Sequence, residues 1–135
     1  MKFEVIGNPI ALKRHRYTKT GISYDPSKND KMDFLAKCLN NRPPKPLKGA
    51  ISMKLGFYFV RPKSHFGTGK NAGRLKESAP MFHNKKPDLD NLVKFVVDSL
   101  NGIFYEDDRQ INNLLAYKDY DDYAHINIEI TTIEG

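Results

Sequence analysis

The chain has a single cysteine, Cys38. A lone thiol closes no intramolecular disulfide, and no His/Cys cluster has the spacing of a zinc site, so a disulfide scaffold and a zinc module are both excluded and a reducing compartment is expected. No run of about 18 or more apolar residues occurs, so the sequence offers no membrane-spanning helix. Met1-Lys2-Phe3-Glu4 leads into mixed sequence rather than the apolar core of a signal peptide, and the expectation is a cytosolic protein without a membrane partner. Internal repeats are absent as well. Cys38 itself receives no role.

What is present suffices for one core. The 135 residues are 39% hydrophobic, and one core usually serves roughly 100–200 residues, so a single domain over 1–135 is expected. Charge is divided along the chain. Residues 1–60 hold 12 Lys/Arg against 4 Asp/Glu, residues 61–86 hold 7 against 1, and residues 87–135 hold 3 against 11. A basic two-thirds followed by an acidic third fits a surface for a polyanion around a local acidic site that holds metal ions. Remixing of those charges in three dimensions is the plainer alternative.

The local patterns predict elements in the order β-β-α-β-loop-α-β-β. Residues 3–7 alternate loosely and read as a strand, and residues 21–24 as a second short strand hairpinned to it. Asp25-Pro26-Ser27 is a helix start, with Asp or Ser to cap the free amides and Pro suited to the first turn. Met32, Leu35, Ala36 and Leu39 then recur at helical steps. Pro43, Pro44 and Pro46 stop that helix. Residues 51–60 are the clearest strand, alternating before becoming wholly apolar. Residues 66–84, with Gly67, Gly69, Gly73 and Pro80, read as a long flexible loop. Residues 89–100 form a second helix whose apolar positions cover an arc of roughly 200° at 100° per residue, leaving Asp90, Asn91, Lys94, Asp98 and Asn101 as a polar stripe. Asn101-Gly102 supplies the left-handed residue that ends it. Residues 110–118 and 124–130 are two closing strands joined by Tyr120-Asp121-Asp122-Tyr123. The expected fold is therefore α+β, a small mixed or antiparallel sheet with two helices on one face.

Two acidic sets border the second helix, Asp88 and Asp90 at its start and Glu106, Asp107 and Asp108 beyond its end. Pro87 favours an extended approach, which lets the Asp88 and Asp90 carboxylates face one side. Gathered carboxylates need a cation or a shared proton. Mg²⁺ is the natural cation, because it takes hard oxygen ligands and shares them with substrate phosphate. Such a site hydrolyses phosphodiesters, and Lys94 adds a fixed positive charge beside the phosphate. Spacing alone leaves the alternative open. Taken alone, Asp88 or Asp90 is more often a helix cap than a ligand, Asp107 and Asp108 a turn before a strand, and Lys94 an exposed helix lysine. Asp98 reads as a supporting group.

Residues 86–111 resemble the signature of the RusA family of Holliday junction resolvases. The matching pieces are Pro87-Asp88-x-Asp90-Asn91-x-x-Lys94, then Asp98-x-Leu100-Asn101-Gly102, then Asp107-Asp108-x-Gln110-Ile111. Outside them the resemblance is weaker but covers nearly the whole chain. It implies a RusA-like homodimer that binds four-way DNA and cuts paired strands symmetrically near the crossover, in DNA recombination and repair. It also implies a need for Mg²⁺, with Mn²⁺ as substitute. The family's three essential aspartates fall on Asp88, Asp90 and Asp108 and its essential lysine on Lys94, while Asp107 is the adjoining acid and stands second as a metal ligand. The long glycine-rich loop is similar to phage-borne relatives, so a phage or prophage origin is expected.

Symmetry gives a separate reason for the dimer, since two cuts related by a two-fold axis call for two identical sites so related. Lys13, Arg14, Arg16, Arg61, Lys63, Lys70, Arg74, Lys76, Lys85 and Lys86 are the expected phosphate contacts. His15, His65, His83 and His125 read as DNA contacts or surface residues, with proton transfer as the alternative. Gly67-Thr68-Gly69-Lys70-Asn71 lacks the first glycine and the Ser/Thr of a phosphate loop, so no nucleotide cofactor is expected.

Overall fold

Alternation in Ile51-Ser52-Met53-Lys54-Leu55 sends odd-numbered side chains to one side of a strand and even-numbered ones to the other. The computed structural model, which describes residues 1–133, follows that pattern. Eight elements run in the order β1 (Lys2–Ile6), β2 (Arg16–Tyr17), β3 (Ser23–Tyr24), α1 (Lys28–Cys38), β4 (Ile51–Phe59), α2 (Leu89–Leu100), β5 (Ile111–Tyr120) and β6 (His125–Thr132). The main sheet is mixed and has the order β1-β6-β4-β5, with β4 and β5 parallel and the other pairs antiparallel. It is an α+β fold with two helices.

Ile51, Met53, Leu55 and Phe57 of β4 and Ile126, Ile128 and Ile130 of β6 are buried against Leu92, Phe95, Val96 and Leu100 of α2 and Phe34 and Cys38 of α1. The Phe34 and Phe95 rings meet edge to face at 5.6 Å. On α2 the expected apolar arc is the buried one. On α1 it is not, because Met32 and Ala36 face solvent and Phe34 and Cys38 face inward. Both faces of α1 carry apolar residues at helical steps, and the ring contact with Phe95 selects between them. Burial in this core pushes the Cys38 thiol up to about 12, which fits its lack of a chemical role.

Two pairings differ from the expectation. β3 pairs with β2, not with β1, because Thr18, Thr20 and Gly21 make a local turn in which Thr18 N–H donates to Ile22 O and Gly21 N–H to Thr18 O. β5 and β6 are joined by four residues yet are not neighbours, since β4 lies between them. The connection arches over the end of β4, where Asp121 N–H donates to Phe59 O at 2.9 Å. Gln110, expected to begin the strand, instead sits in a 3-10 turn, Asp108–Gln110. Gly102 takes φ +82° after α2, as its position requires.

The start of α1 also differs. Neither Asp25 nor Ser27 caps the helix through its side chain. The fully buried Ser27 hydroxyl accepts from Lys13 N–H at 2.9 Å, and Asp25 accepts from Ser27 N–H and lies 2.5 Å from Lys31 Nζ. Lys31, then the Ser27 amide, hold the Asp25 carboxyl below the usual range. A depressed folded-state value means stability that is present above the unfolded value of about 3.9 and lost as pH falls through the folded one. Asp25→Asn is therefore expected to lower the thermal midpoint by about 2–5 °C at neutral pH. The gap between variant and parent should narrow as pH falls below about 3.9, read by circular dichroism melts, and a gap unchanged on acidification would contradict this role.

Candidate active site

The chain bends through Lys85–Pro87, where the Lys86–Pro87 peptide is cis, rather than running extended into α2 as expected, and Asp88 alone is extended at the helix N-terminus, with φ −70° and ψ 141°. Its carboxylate makes no capping hydrogen bond, so a function other than capping is open to it. Asp90 in the first turn, Lys94 one turn on and Asp98 one turn further are all exposed along the stripe. Leu12 N–H donates to Asn91 O at 2.9 Å, which with the Ser27 bond to Lys13 ties the early basic segment to the first turn of α2. The result is an open cleft of about 630 Å³ lined by Ala11, Leu12, Lys13, Lys86, Pro87, Asp88 and Asn91. Basic and acidic segments far apart in sequence are thus brought side by side.

Lys118, near the end of β5, donates through Nζ to Lys85 O at 2.7 Å and to Pro87 O at 3.0 Å. It pins the segment that presents Asp88. Sequence reading did not single it out, since its targets are carbonyls reached only in the folded chain. Two hydrogen bonds from a charged donor are worth about 1.5–3 kcal/mol each at most, part of it in positioning. Lys118→Met is expected to lower cutting about tenfold, the order seen when a supporting contact behind a ligand is removed. The thermal midpoint should move by no more than a few degrees, and unchanged turnover would deny Lys118 this role.

Beyond the far end of α2, Asp107 accepts from Arg109 N–H at 3.0 Å and Gln110 Oε1 accepts from Asp107 N–H at 2.7 Å, a reciprocal cap. Gln110 Nε2 donates to Leu47 O and Gly49 O, fixing the turn to the stretch before β4. Asp107 therefore has a structural job in the cap, which Asp108 does not share. The backbone amide of Arg109, then the hydrogen bond with Asp108, hold the Asp107 carboxyl low. That same hydrogen bond, burial and the charges of Asp107 and Asp98 raise Asp108. Tyr105, whose hydroxyl donates to Val97 O at 2.6 Å, is pushed well up by burial and by Asp108 and Asp98.

The two acidic sets do not meet within one chain. Asp88 and Asp90 stand at one end of α2, and Asp108 keeps company with Asp98 and Asp107 toward the other, with the helix about 18 Å long. Lys94 lies between them. Among the described residues, no three His, Cys, Asp or Glu side chains are grouped closely enough to hold a metal ion. The expectation of a shared cleft mouth is corrected on this point, because α2 separates the two sets along its own axis. Asp98, read as a supporting group, is near enough for its charge to help raise Asp108, and the four-residue steps Asp90, Lys94, Asp98 were the signal for it.

Of the ten basic residues expected to meet DNA, nine are exposed. Arg61 is half-buried, its guanidinium 4.4 Å from the Tyr120 ring centroid and donating to Pro80 O at 2.6 Å. It folds the loop back. Two histidines read as surface groups are buried, His65 at 6% and His125 at 2% exposure. His65 packs against Tyr120, and His125 is stacked between Tyr58 and Tyr123, because the aromatic side chains at these strand ends enclose them. Burial, then Arg61, holds His65 below its ordinary value, and burial, then Lys118, does so for His83. The loop carries its own turns and a Phe66–Leu75 bridge.

Among the described residues, no helix is long and apolar enough to cross a membrane. Residues 7–131 match the family described as Endodeoxyribonuclease RusA. The chain is 31% identical over 140 aligned residues to the uncharacterized protein YqaN of Bacillus subtilis (strain 168), covering 100% of this chain and 98% of that one. It is 29% identical over 114 residues to the crossover junction endodeoxyribonuclease rusA of Lactococcus phage r1t, covering 82% of this chain and 77% of the phage protein. With a match running through both helices, the acidic stripe and three of the four strands of the main sheet, the chain belongs to the RusA endodeoxyribonuclease family.

Proposed function

We propose that this endodeoxyribonuclease resolves Holliday junctions, making paired, symmetric phosphodiester cuts in a Mg²⁺-dependent reaction during DNA recombination and repair. The observation that carries the reading is the cleft at the start of α2. There Lys13 and Lys86 flank an Asp88 carboxylate that the helix does not use as a cap. The phage relative named for crossover junctions supports the substrate.

The donor set fits a hard divalent cation. Asp88, Asp90 and Asp108 offer carboxylate oxygens, and Asp107 stands next to them in rank because it already serves a cap. Adjacent carboxylates whose interaction raises one of them, as Asp107 raises Asp108, are a pair that a cation would relieve. When bound, Mg²⁺ (or Mn²⁺) supplies a water of lowered pKa and offsets charge on the leaving oxygen. Lys94 then holds positive charge beside the phosphate. Lys13, Arg14, Lys85 and Lys86 hold flanking phosphates and set the register of the strand without reading its sequence. The separation of the two acidic sets along α2 favours a two-fold homodimer, in which one chain's Asp88 end lies near its partner's Asp108 end.

The test is cleavage of a synthetic mobile four-way junction beside the matching linear duplex, with Mg²⁺ and with chelator. Paired, symmetric, metal-dependent nicks confined to the junction are expected. Equal cutting of both substrates leaves a general nuclease, and binding without cutting at any metal concentration removes the proposal.

A further inference from the structure

Arg61 and Tyr120 organise the chain just ahead of the candidate site. Arg61 holds Pro80 O at 2.6 Å, and the His83 ring stacks on Phe59 at 4.2 Å with Tyr120 at 5.2 Å. Two residues further on, Lys118 pins Lys85 and Pro87 through their carbonyls. Between these anchors Met81 and Phe82 point into solvent, 74% and 71% exposed. Scattered exposed apolar residues are ordinary, but two adjacent large ones held out between fixed neighbours are not. Their surroundings are basic, with Arg74, Lys76, Lys85 and Lys86 all exposed, and Lys86 lines the cleft at Asp88. The charge fits a polyanion and the tip fits something flat and apolar within it.

We infer that Phe82, backed by Met81, is an apolar wedge that stacks on bases laid open at the branch point of the DNA, and so sets the preference for branched over linear substrate. Continuous duplex presents no free base face, since each pair is covered by its neighbours. A branch interrupts that stacking, and an aromatic side chain can cover the exposed face there. Because both flanks of the tip are already anchored, little further ordering is needed on binding. The inference rests on the branched-DNA reading above and names the residues that carry it.

The test uses a four-way junction with 2-aminopurine at the branch or, as control, within an arm, and the matching duplex, all in chelator so that nothing is cut. Wild-type protein should raise branch-point fluorescence and bind the junction more tightly than the duplex. The Met81→Ser/Phe82→Ser double variant should lose the fluorescence rise and about tenfold of the junction preference, the effect expected of one lost base stack. Duplex affinity, thermal midpoint and sedimentation should stay as in wild type, and Phe82→Trp should keep the rise. Unchanged junction preference in the double variant overturns the inference. So does an equal loss on duplex, which makes the tip a general contact, or altered sedimentation, which makes it a contact with a second copy. Absence of junction preference in the wild type would instead sink the branched-DNA reading, and the wedge with it.

Discussion

Asp90→Asn is expected to reduce junction cutting at least about a hundredfold, the scale on which removal of one electrostatic stabiliser of a transition state acts. Junction affinity measured in chelator should hold or tighten. Asp90 is exposed on the stripe of α2, so the shape-matched amide fits without repacking. What changes is charge. The amide is a poorer ligand for a hard cation, and the loss of a negative charge near Lys13 and Lys86 favours the polyanion. The fold should be nearly indifferent, because a carboxylate in the first turn of a helix contributes only about 0.3–1 kcal/mol through the dipole. Three readouts separate the roles. Cutting lost with affinity kept assigns Asp90 to the metal. Cutting and affinity lost together makes it a substrate contact, and wild-type turnover removes it from the site.

Phe95→Ala is expected to be the most damaging single change to the fold. Phe95 is 1% exposed and meets Phe34 edge to face, so it joins α2 to α1 as well as to the sheet. Truncating a buried phenylalanine costs about 3–5 kcal/mol, a large part of the roughly 5–15 kcal/mol that holds a domain together. The urea midpoint should drop accordingly with little change in slope. Half-buried Val97, beside the polar stripe, gives the contrast: Val97→Ala should cost no more than about 1.5 kcal/mol, since less of the side chain leaves water on folding. Equal losses at the two positions would mean that the face of α2 nearest the stripe is packed as tightly as its core face.

Much of this could be read from local pattern. The helical step of Leu92, Phe95, Val96 and Leu100 identified the buried face of α2, and the alternation over 51–59 identified β4, because burial repeats with the period of the element. Pro87 before Asp88 indicated that this carboxylate stands outside the helix, though the chain reaches it through a bend and not an extended run. The run from Pro87 to Ile111 carried the family likeness, and the match over residues 7–131 bears it out. In each case the informative residues are sequence neighbours, and neighbours constrain one another through backbone geometry alone.

Other features depended on the assembled chain. Which face of α1 is buried turned on the contact between Phe34 and Phe95, 61 positions apart in a chain where both faces of the helix had apolar residues. The order β1-β6-β4-β5 depended on β4 lying between two strands that sequence places side by side. His125 stacked on Tyr58 of β4 and His65 packed on Tyr120 of β5, and Lys118 found its partners 31 and 33 residues away. The sequence by itself determined the elements other than the short β2, the acidic stripe and the family. Only the tertiary structure decided that Lys13 lies beside Asp88, that α2 holds Asp90 and Asp108 apart, and that Phe82 stands out from anchored neighbours, because each is a relation between side chains that only packing brings into register.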